Sequence, residues 1–264
     1  MKKIRVDCEL QYLASDNADF VFNIQAAQMA WQDIFEEKIT FNPEVEATFG
    51  VGHTGHNRLL RVGNIIGSFS IRYQASVNVN YPEPTGIEAE MKIGELPIEI
   101  IPYTWSSRYC ESDQIAKLAN ELFGHLAHGY SRVEAICEWI HSNIQYQTGV
   151  TKSTTTSIAV LDGGVGVCRD FAHLGISFCR ALNIPARFVT GYAHFEEPPC
   201  DFHAIFEVYL GHRWILFDAT KMSPVNQLVR IATGRDASDT AFSTIFGPVV
   251  MNYMNPYVEV IQAN

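Results

Sequence analysis

Apolar and polar positions follow two different periods along this chain. Over roughly the first hundred residues the pattern favours strands. Ile4 to Leu13 alternates, and Ile65, Ile66, Phe69, Ile71, Tyr73, Val77 and Val79 form a long β-favouring run. Turn residues cluster at Asn42-Pro43 and between Gly50 and Asn57. Within this β-rich stretch, Ala26 to Glu37 reads as a short helix. Tyr81-Pro82-Glu83-Pro84-Thr85-Gly86 then ends a strand, and Pro97 and Pro102 break regular structure up to Ser107.

Beyond that point the period lengthens. Ser112 or Asp113 caps a predicted helix running to about Phe123. Ser131-Arg132-Val133-Glu134 is a capping-box sequence, followed at helical spacing by Val133, Ile136, Cys137, Ile140 and Ile144. A polar loop, Thr151 to Ser157, and a glycine-rich approach lead to Cys168. From there Phe171, Ala172, Gly175, Phe178, Cys179 and Leu182 share one helical face, and Asn183-Ile184-Pro185 ends the helix. Strands are predicted at Ala186 to Tyr192, Phe202 to Leu210 and Trp214 to Ala219. The tail from Ser223 reads as loop until Phe246, with a last strand at Tyr257 to Ile261. The expected organisation is α+β, with a β-rich domain over 1–105 and a second domain over 106–264.

Composition narrows the class. The chain has 264 residues, 47% hydrophobic and 18% charged, which suits a globular protein with a substantial core. A net charge of −10 argues against nucleic-acid partners and against attraction to anionic membranes. Charges in Ile4-Arg5-Val6-Asp7-Cys8-Glu9 interrupt any signal-peptide core, and no apolar run is long enough to span a bilayer. A cytoplasmic location is the expectation. Six cysteines at irregular spacing, with no CxxC pair, read as free thiols.

One of those thiols has a distinctive setting. Gly163-Gly164-Val165-Gly166-Val167 enters a helix at Cys168, where free backbone N–H groups and the positive helix end favour a thiolate, the reactive form of cysteine. The helical face shared with Phe171 and Gly175 directs Cys168 toward whatever the helix packs on, expected to be the sheet that follows. Gly211-His212 reads as the two-residue tip of a hairpin. Facing residues then sum to 423, so Ile205 pairs with Asp218, and His203 is their same-face neighbour. A His203–Asp218 pair facing a cysteine at a helix tip suggests nucleophilic attack by Cys168 on an amide carbonyl. His203 would protonate the leaving amine, and Asp218 would orient the ring and stabilise its cation. The Cys168 N–H is the natural first oxyanion donor; Tyr146 and Gln145 are candidates for the second.

The runs GVGVCRDFAHLGISFCRALNIPARFVTGY, DFHAIFEVY and WILFDAT resemble the bacterial branch of the transglutaminase-like superfamily of papain-fold thiol enzymes. The resemblance covers about residues 110 to 240, including a family-like Gly234-Arg235-Asp236 segment. The β region before it resembles, more loosely, the small β domain found ahead of such cores. It implies a papain-like core, a cysteine-bearing helix on an antiparallel sheet, with Cys168, His203 and Asp218 as triad and a peptide or protein as substrate. No cofactor or metal is expected, and the oligomeric state is left open. Two positions depart from the family pattern: Ile205 replaces its usual tryptophan, with an expected effect on the substrate groove, and Ala219 its usual proline. Hydrolysis is the preferred outcome. Transfer to an amine and a non-catalytic binding protein on the same fold are the alternatives, whereas a glycan-removing amidase would bring zinc-binding CxxC pairs that are absent.

Simpler roles are expected elsewhere. Cys8, Cys137 and Cys179 read as small buried hydrophobes. Asp170 reads as a first-turn cap, and Arg169 as its solvated or salt-bridged neighbour. His53/His56 and His125/His128 lack the HExxH glutamate of a zinc site, and the glycine loop lacks GxxxxGK[ST]. Cys200 reads as an incidental thiol ahead of His203.

Overall fold

The computed structural model describes residues 2–52, 54–195 and 201–261. The opening alternation becomes β1 (Lys2–Phe22), which buries Ile4, Val6, Cys8, Leu10 and Tyr12 on one face. Next come β2 (Gln32–Asn42), β3 (Thr48–Val51) and β4 (Arg58–Val79). Strand β4 pairs antiparallel with β1, matching Ile4 to Val77 and Leu10 to Ile71, so both buried rows share one face.

The stretch Ala26 to Glu37 is not a helix. Its second half belongs to β2, where Ile34 faces Val77 and Phe41 faces Ile71 across the β4 edge. Its first half is held extended from outside. The Ala27 N–H donates to the Arg230 carbonyl, and the Gln32 side chain bridges the Ala27 and Arg230 carbonyls. Long-range pairing here outweighs the local helix preference of the alanines.

After short turns come α1 (Ala116–Phe123), α2 (Tyr130–Asn143), β5 (Gln145–Tyr146), α3 (Ser157–Gly163), β6 (Val165–Gly166) and α4 (Cys168–Ala181). Helix α4 is the hub of this half, buried over Asp170 to Arg180 between the other helices and a four-stranded antiparallel sheet. That sheet runs β10 (Val229–Gly234), β7 (Ala186–Tyr192), β8 (Phe202–Leu210), β9 (Arg213–Phe217). Gly175 lets the helix lie close: a Cβ there would fall 2.6 Å from the Phe206 ring. Together these elements make the protein α+β, with a β-rich N-terminal region and a papain-like core.

Strand β10 lies in the segment that reads as loop. Arg230 breaks its apolar run, yet all six residues are buried, and both terminal nitrogens of Arg230 donate to Glu207. Two further strands, β11 (Ser243–Phe246) and β12 (Val249–Ile261), return to the first sheet and pair with β1, matching Phe20 to Ile245 and Ile4 to Val260. The first sheet therefore draws on both ends of the chain. Its core also takes in Tyr192, Val229, Ile231 and Ala232 of the second sheet, which brings the two sheets together beside the start of β8.

Candidate active site

Cys168 is the first residue of α4, after the extended N-cap residue Val167. Gly164, at φ +67, ends α3 in the left-handed conformation that glycine adopts freely. Gly166 passes so close to the helix that a Cβ would sit 2.9 Å from the Asp170 Cβ. Asp170 is fully buried and caps the helix: one carboxylate oxygen accepts the Val167 N–H at 2.9 Å, and the other accepts from Arg169. These contacts fix the backbone that carries the thiol. Cys168 is also the only cysteine among the described residues that is not buried. Burial pushes Cys8 and Cys110 up to about 12 and raises Cys137 and Cys179 as well. Cys200 lies outside the described residues, as does His53 of the first histidine pair.

The β8–β9 hairpin forms in the expected register, with Leu210 opposite Arg213 and Phe206 opposite Phe217. Its tip residues Gly211 and His212 both have positive φ, 55 and 65, as a two-residue turn of this twist requires. His203 Nε2 and Asp218 Oδ2 are 2.9 Å apart, and both side chains are almost wholly buried. The other Asp218 oxygen accepts the Thr220 N–H at 2.8 Å and its hydroxyl at 2.7 Å. Thr220 thus fixes the carboxylate, a role that the Asx-turn spacing in Asp218-Ala219-Thr220 signals.

The cysteine meets this pair by a different route from the one alternation suggests. Helix α4 packs on the β8 face carrying Ala204, Phe206 and Val208. His203 and Ile205 occupy the opposite face, where Ile205 packs with Val189, Phe195 and Leu228 and the His203 ring lies 5.6 Å from Phe195. Cys168 reaches the histidine past the first residue of the strand, its sulfur 3.9 Å from the Phe202 carbonyl oxygen. Ile205 is not among the residues lining the cleft.

Electrostatics favour the charged ring. Burial works against an imidazolium at His203, but the Asp218 carboxylate and the Cys168 sulfur outweigh it and push the group up to about 10. With Nε2 held by Asp218, the Cys168 side chain is the ring's other polar neighbour. Tyr146 comes alongside because β5 pairs in parallel with β6, just ahead of Cys168. Its hydroxyl interacts with both the backbone N–H and the side chain of Cys168, and burial, with the sulfur's charge, holds it above the ordinary phenol range. Gln145 is exposed and outside the cleft.

Cys168, His203 and Tyr146 open onto a cleft of about 770 Å³. Phe188 and Thr190 line it from the core sheet; Asn23, Phe242, Ser243 and Met254 line it from the side of the first sheet. This second wall is not apparent in the sequence pattern. Behind the cleft, His173 is neutral, since burial pulls it down to about 3. Its Nε2 accepts the Ala237 N–H, and its ring stacks on Tyr109 at 5.0 Å. Asp236 of the Gly234-Arg235-Asp236 segment accepts the Tyr109 N–H at 3.0 Å, and the bond from neighbouring Ala237 to His173 ties the segment to the helix that bears Cys168.

Comparison with known proteins agrees with this architecture. Residues 116–219 match the family described as "Transglutaminase-like superfamily", and residues 1–99 match "Bacterial transglutaminase, N-terminal domain". A solved structure described as "a Putative Cysteine Protease from Cytophaga hutchinsonii" is 39% identical, covers 100% of this chain and 92% of that one, and superposes with a TM-score of 0.95. An uncharacterised Mycobacterium leprae protein is 30% identical over 116 residues, 41% of this chain and 42% of its own. A Mycobacterium tuberculosis protein is 29% identical over 135 residues, 46% of this chain and 42% of its own. The chain thus spans about two fifths of the curated relatives it matches.

Proposed function

Because the chain belongs to the transglutaminase-like superfamily, we propose that it is a thiol enzyme acting on amide bonds of peptides or proteins. Cys168, His203 and Asp218 form its triad, and hydrolysis is its main outcome. The observation that carries this reading is the 2.9 Å His203–Asp218 contact beside the one unburied described cysteine, at a helix N-terminus in a shared cleft.

The chemistry follows from the geometry. The imidazolium at His203 balances the charge of Cys168 when it attacks as thiolate. The thiolate attacks the amide carbonyl, forming a C–S bond and moving the carbonyl electron pair onto oxygen. That oxyanion is met by the Cys168 N–H and the Tyr146 hydroxyl, which interact with each other in the free protein and turn to the substrate oxygen when it enters. His203 gives its proton to the leaving nitrogen, the C–N bond breaks, and an acyl-thioester remains. Now neutral, His203 takes a proton from water as the water oxygen attacks the thioester. Breakage of the C–S bond releases the acid and restores the ion pair. Asp218, pinned by Thr220, keeps the Nε2 proton on its own side of the ring, leaving Nδ1 to exchange protons with sulfur and substrate. Replacing water by an amine in the last step gives transfer in place of hydrolysis.

Two experiments test this reading. Iodoacetamide labelling at pH 6 to 7 with peptide mapping should modify Cys168 ahead of the other cysteines, and equal reactivity would refute an activated thiol. A library of glutamine-containing peptides, incubated with and without an added amine, should yield cleaved or deamidated products in preference to amine-coupled ones. Predominant coupling would replace hydrolysis by transfer, and no product of any kind would favour a binding role.

A further inference from the structure

Further along β8, on the sheet face that carries His203, Glu207 and Tyr209 line a second cavity of about 440 Å³. It shares no lining residue with the cleft. Its walls are aromatic: Trp31, Tyr81, Tyr209 and Trp214. This size and lining suit a small ring-bearing ligand.

The floor is ionic. Glu207, 1% exposed, accepts from both terminal nitrogens of Arg230, at 3.1 and 2.6 Å, and from Arg187 Nε at 2.5 Å. The Arg187 guanidinium also stacks 4.0 Å from the Trp214 ring. Two guanidinium groups thus share one carboxylate, and no second carboxylate among the described residues accepts from either. Arg187 is 13% exposed and lies outside the cavity lining, whose own charged residues are Glu83, Glu207, Arg213 and Arg230. Two residues lining the cavity present buried donors without an acceptor: Trp31 Nε1, and the hydroxyl proton of Tyr81, whose oxygen already accepts from the Arg230 side chain. The indole nitrogen can only donate. Burial holds Tyr81 above the ordinary phenol range, so it keeps its proton to donate too. Buried donors left unpaired are expensive and uncommon in native proteins.

We propose that this cavity binds an aromatic monocarboxylate, its ring between the aromatic walls and its carboxylate taken up by the donors of Tyr81 and Trp31 beside the Arg230 guanidinium. Two neutral donors beside the Arg230 guanidinium match a monoanion better than a phosphate dianion, and the aromatic walls match a ring better than a sugar. The same chemistry is presented by a small free acid and by a peptide ending in phenylalanine. Binding here is independent of the thiol chemistry proposed for the cleft.

Calorimetric titration of the whole protein with 3-phenylpropanoate, 3-phenylpropanamide, Gly-Gly-Phe and Gly-Gly-Phe-amide tests this assignment. The acids should saturate one site and bind at least about tenfold more tightly than their amides, as expected for a charge-assisted hydrogen bond. Prior alkylation of Cys168 should leave this binding unchanged. Trp31→Phe and Tyr81→Phe keep the rings but remove one donor each, and each should weaken acid binding about three- to tenfold while sparing the amide. Tighter binding of Gly-Gly-Phe would identify a peptide C-terminus as the ligand, and tighter binding of 3-phenylpropanoate a free acid. Equal affinity for acid and amide, no saturation into the millimolar range, loss of binding on alkylation, or wild-type acid affinity in both variants would overturn the proposal.

Discussion

Replacing Asp218 by Asn tests whether the carboxylate sets the charge of His203. The change keeps the shape, and an amide oxygen can still accept from Thr220. Toward the ring it presents either an uncharged acceptor or an N–H facing the Nε2 proton. A hydrogen bond to a charged group contributes about 1.5–3 kcal/mol, and one pKa unit corresponds to about 1.4 kcal/mol, so His203 should fall by ~1–2 units. From about 10 in the parent, that places the variant's ring near ~8–9. A ring that relaxes to accept the Asn N–H at Nε2 also carries its neutral-state proton on Nδ1, where it cannot take one from sulfur. Histidine NMR titration should show the lower midpoint. The pH dependence of Cys168 alkylation should shift with the ring, by the same ~1–2 units. Stability follows the same linkage. A histidine raised in the folded state contributes fully below its unfolded value near ~6.5 and loses that contribution as pH rises through about 10. The stability gap between parent and variant should therefore be about 2 kcal/mol below pH 6.5 and narrow toward pH 10. An unchanged midpoint and an unchanged pH dependence of alkylation in a folded variant would refute this electrostatic account.

Other substitutions probe separate parts of the site. Tyr146→Phe should lower turnover about 100-fold and, because the hydroxyl also contacts the Cys168 sulfur, change Cys168 alkylation by less than about tenfold, so that steady-state and labelling rates separate oxyanion stabilisation from thiol activation. Gly175→Ala drives a methyl into the Phe206 ring and should cost about 1–3 kcal/mol in denaturant unfolding, since α4 cannot retreat without moving Cys168. His173, depressed to about 3, contributes stability above its unfolded value near ~6.5 and loses it as pH falls through the folded one. His173→Gln should flatten the acid limb of the stability curve between those values, measured by thermal melts from pH 7 to 3.

The hairpin was legible in the sequence because its evidence is local. Gly211-His212 fixes the turn, the turn fixes the register, and the register puts His203 and Asp218 on one face. Which face the cysteine helix covers is not local information, and α4 packs on the other one. Cys168 still reaches His203 because both lie at the ends of their elements. Strand β10 was hidden by Arg230, whose burial makes sense only with Glu207 from a different strand. Tyr146 sits in a two-residue strand too short to carry a period. The cleft wall at Asn23, Ser243 and Met254 depends on β1 pairing with β11 and β12 across more than two hundred residues, a partnership that no window along the chain contains.

That pairing bears on how the core behaves alone. Residues 106–264 include helices α1 to α4 and the second sheet, so a fragment of this length looks like a natural domain. Strands β11 and β12, however, would have no β1 to pair with, and Tyr192, Val229, Ile231 and Val258, all buried against the first sheet, would face water. At about 1.5–3 kcal/mol for each large apolar side chain, these four forfeit ~6–12 kcal/mol, comparable to the whole stability of a typical domain at ~5–15 kcal/mol. The fragment should therefore lack a cooperative thermal transition and show poor amide dispersion by NMR, and co-expression with residues 1–105 should restore both. A fragment that melts cooperatively and is well dispersed by itself would mean that the first sheet contributes only a wall of the cleft and not the stability of the core.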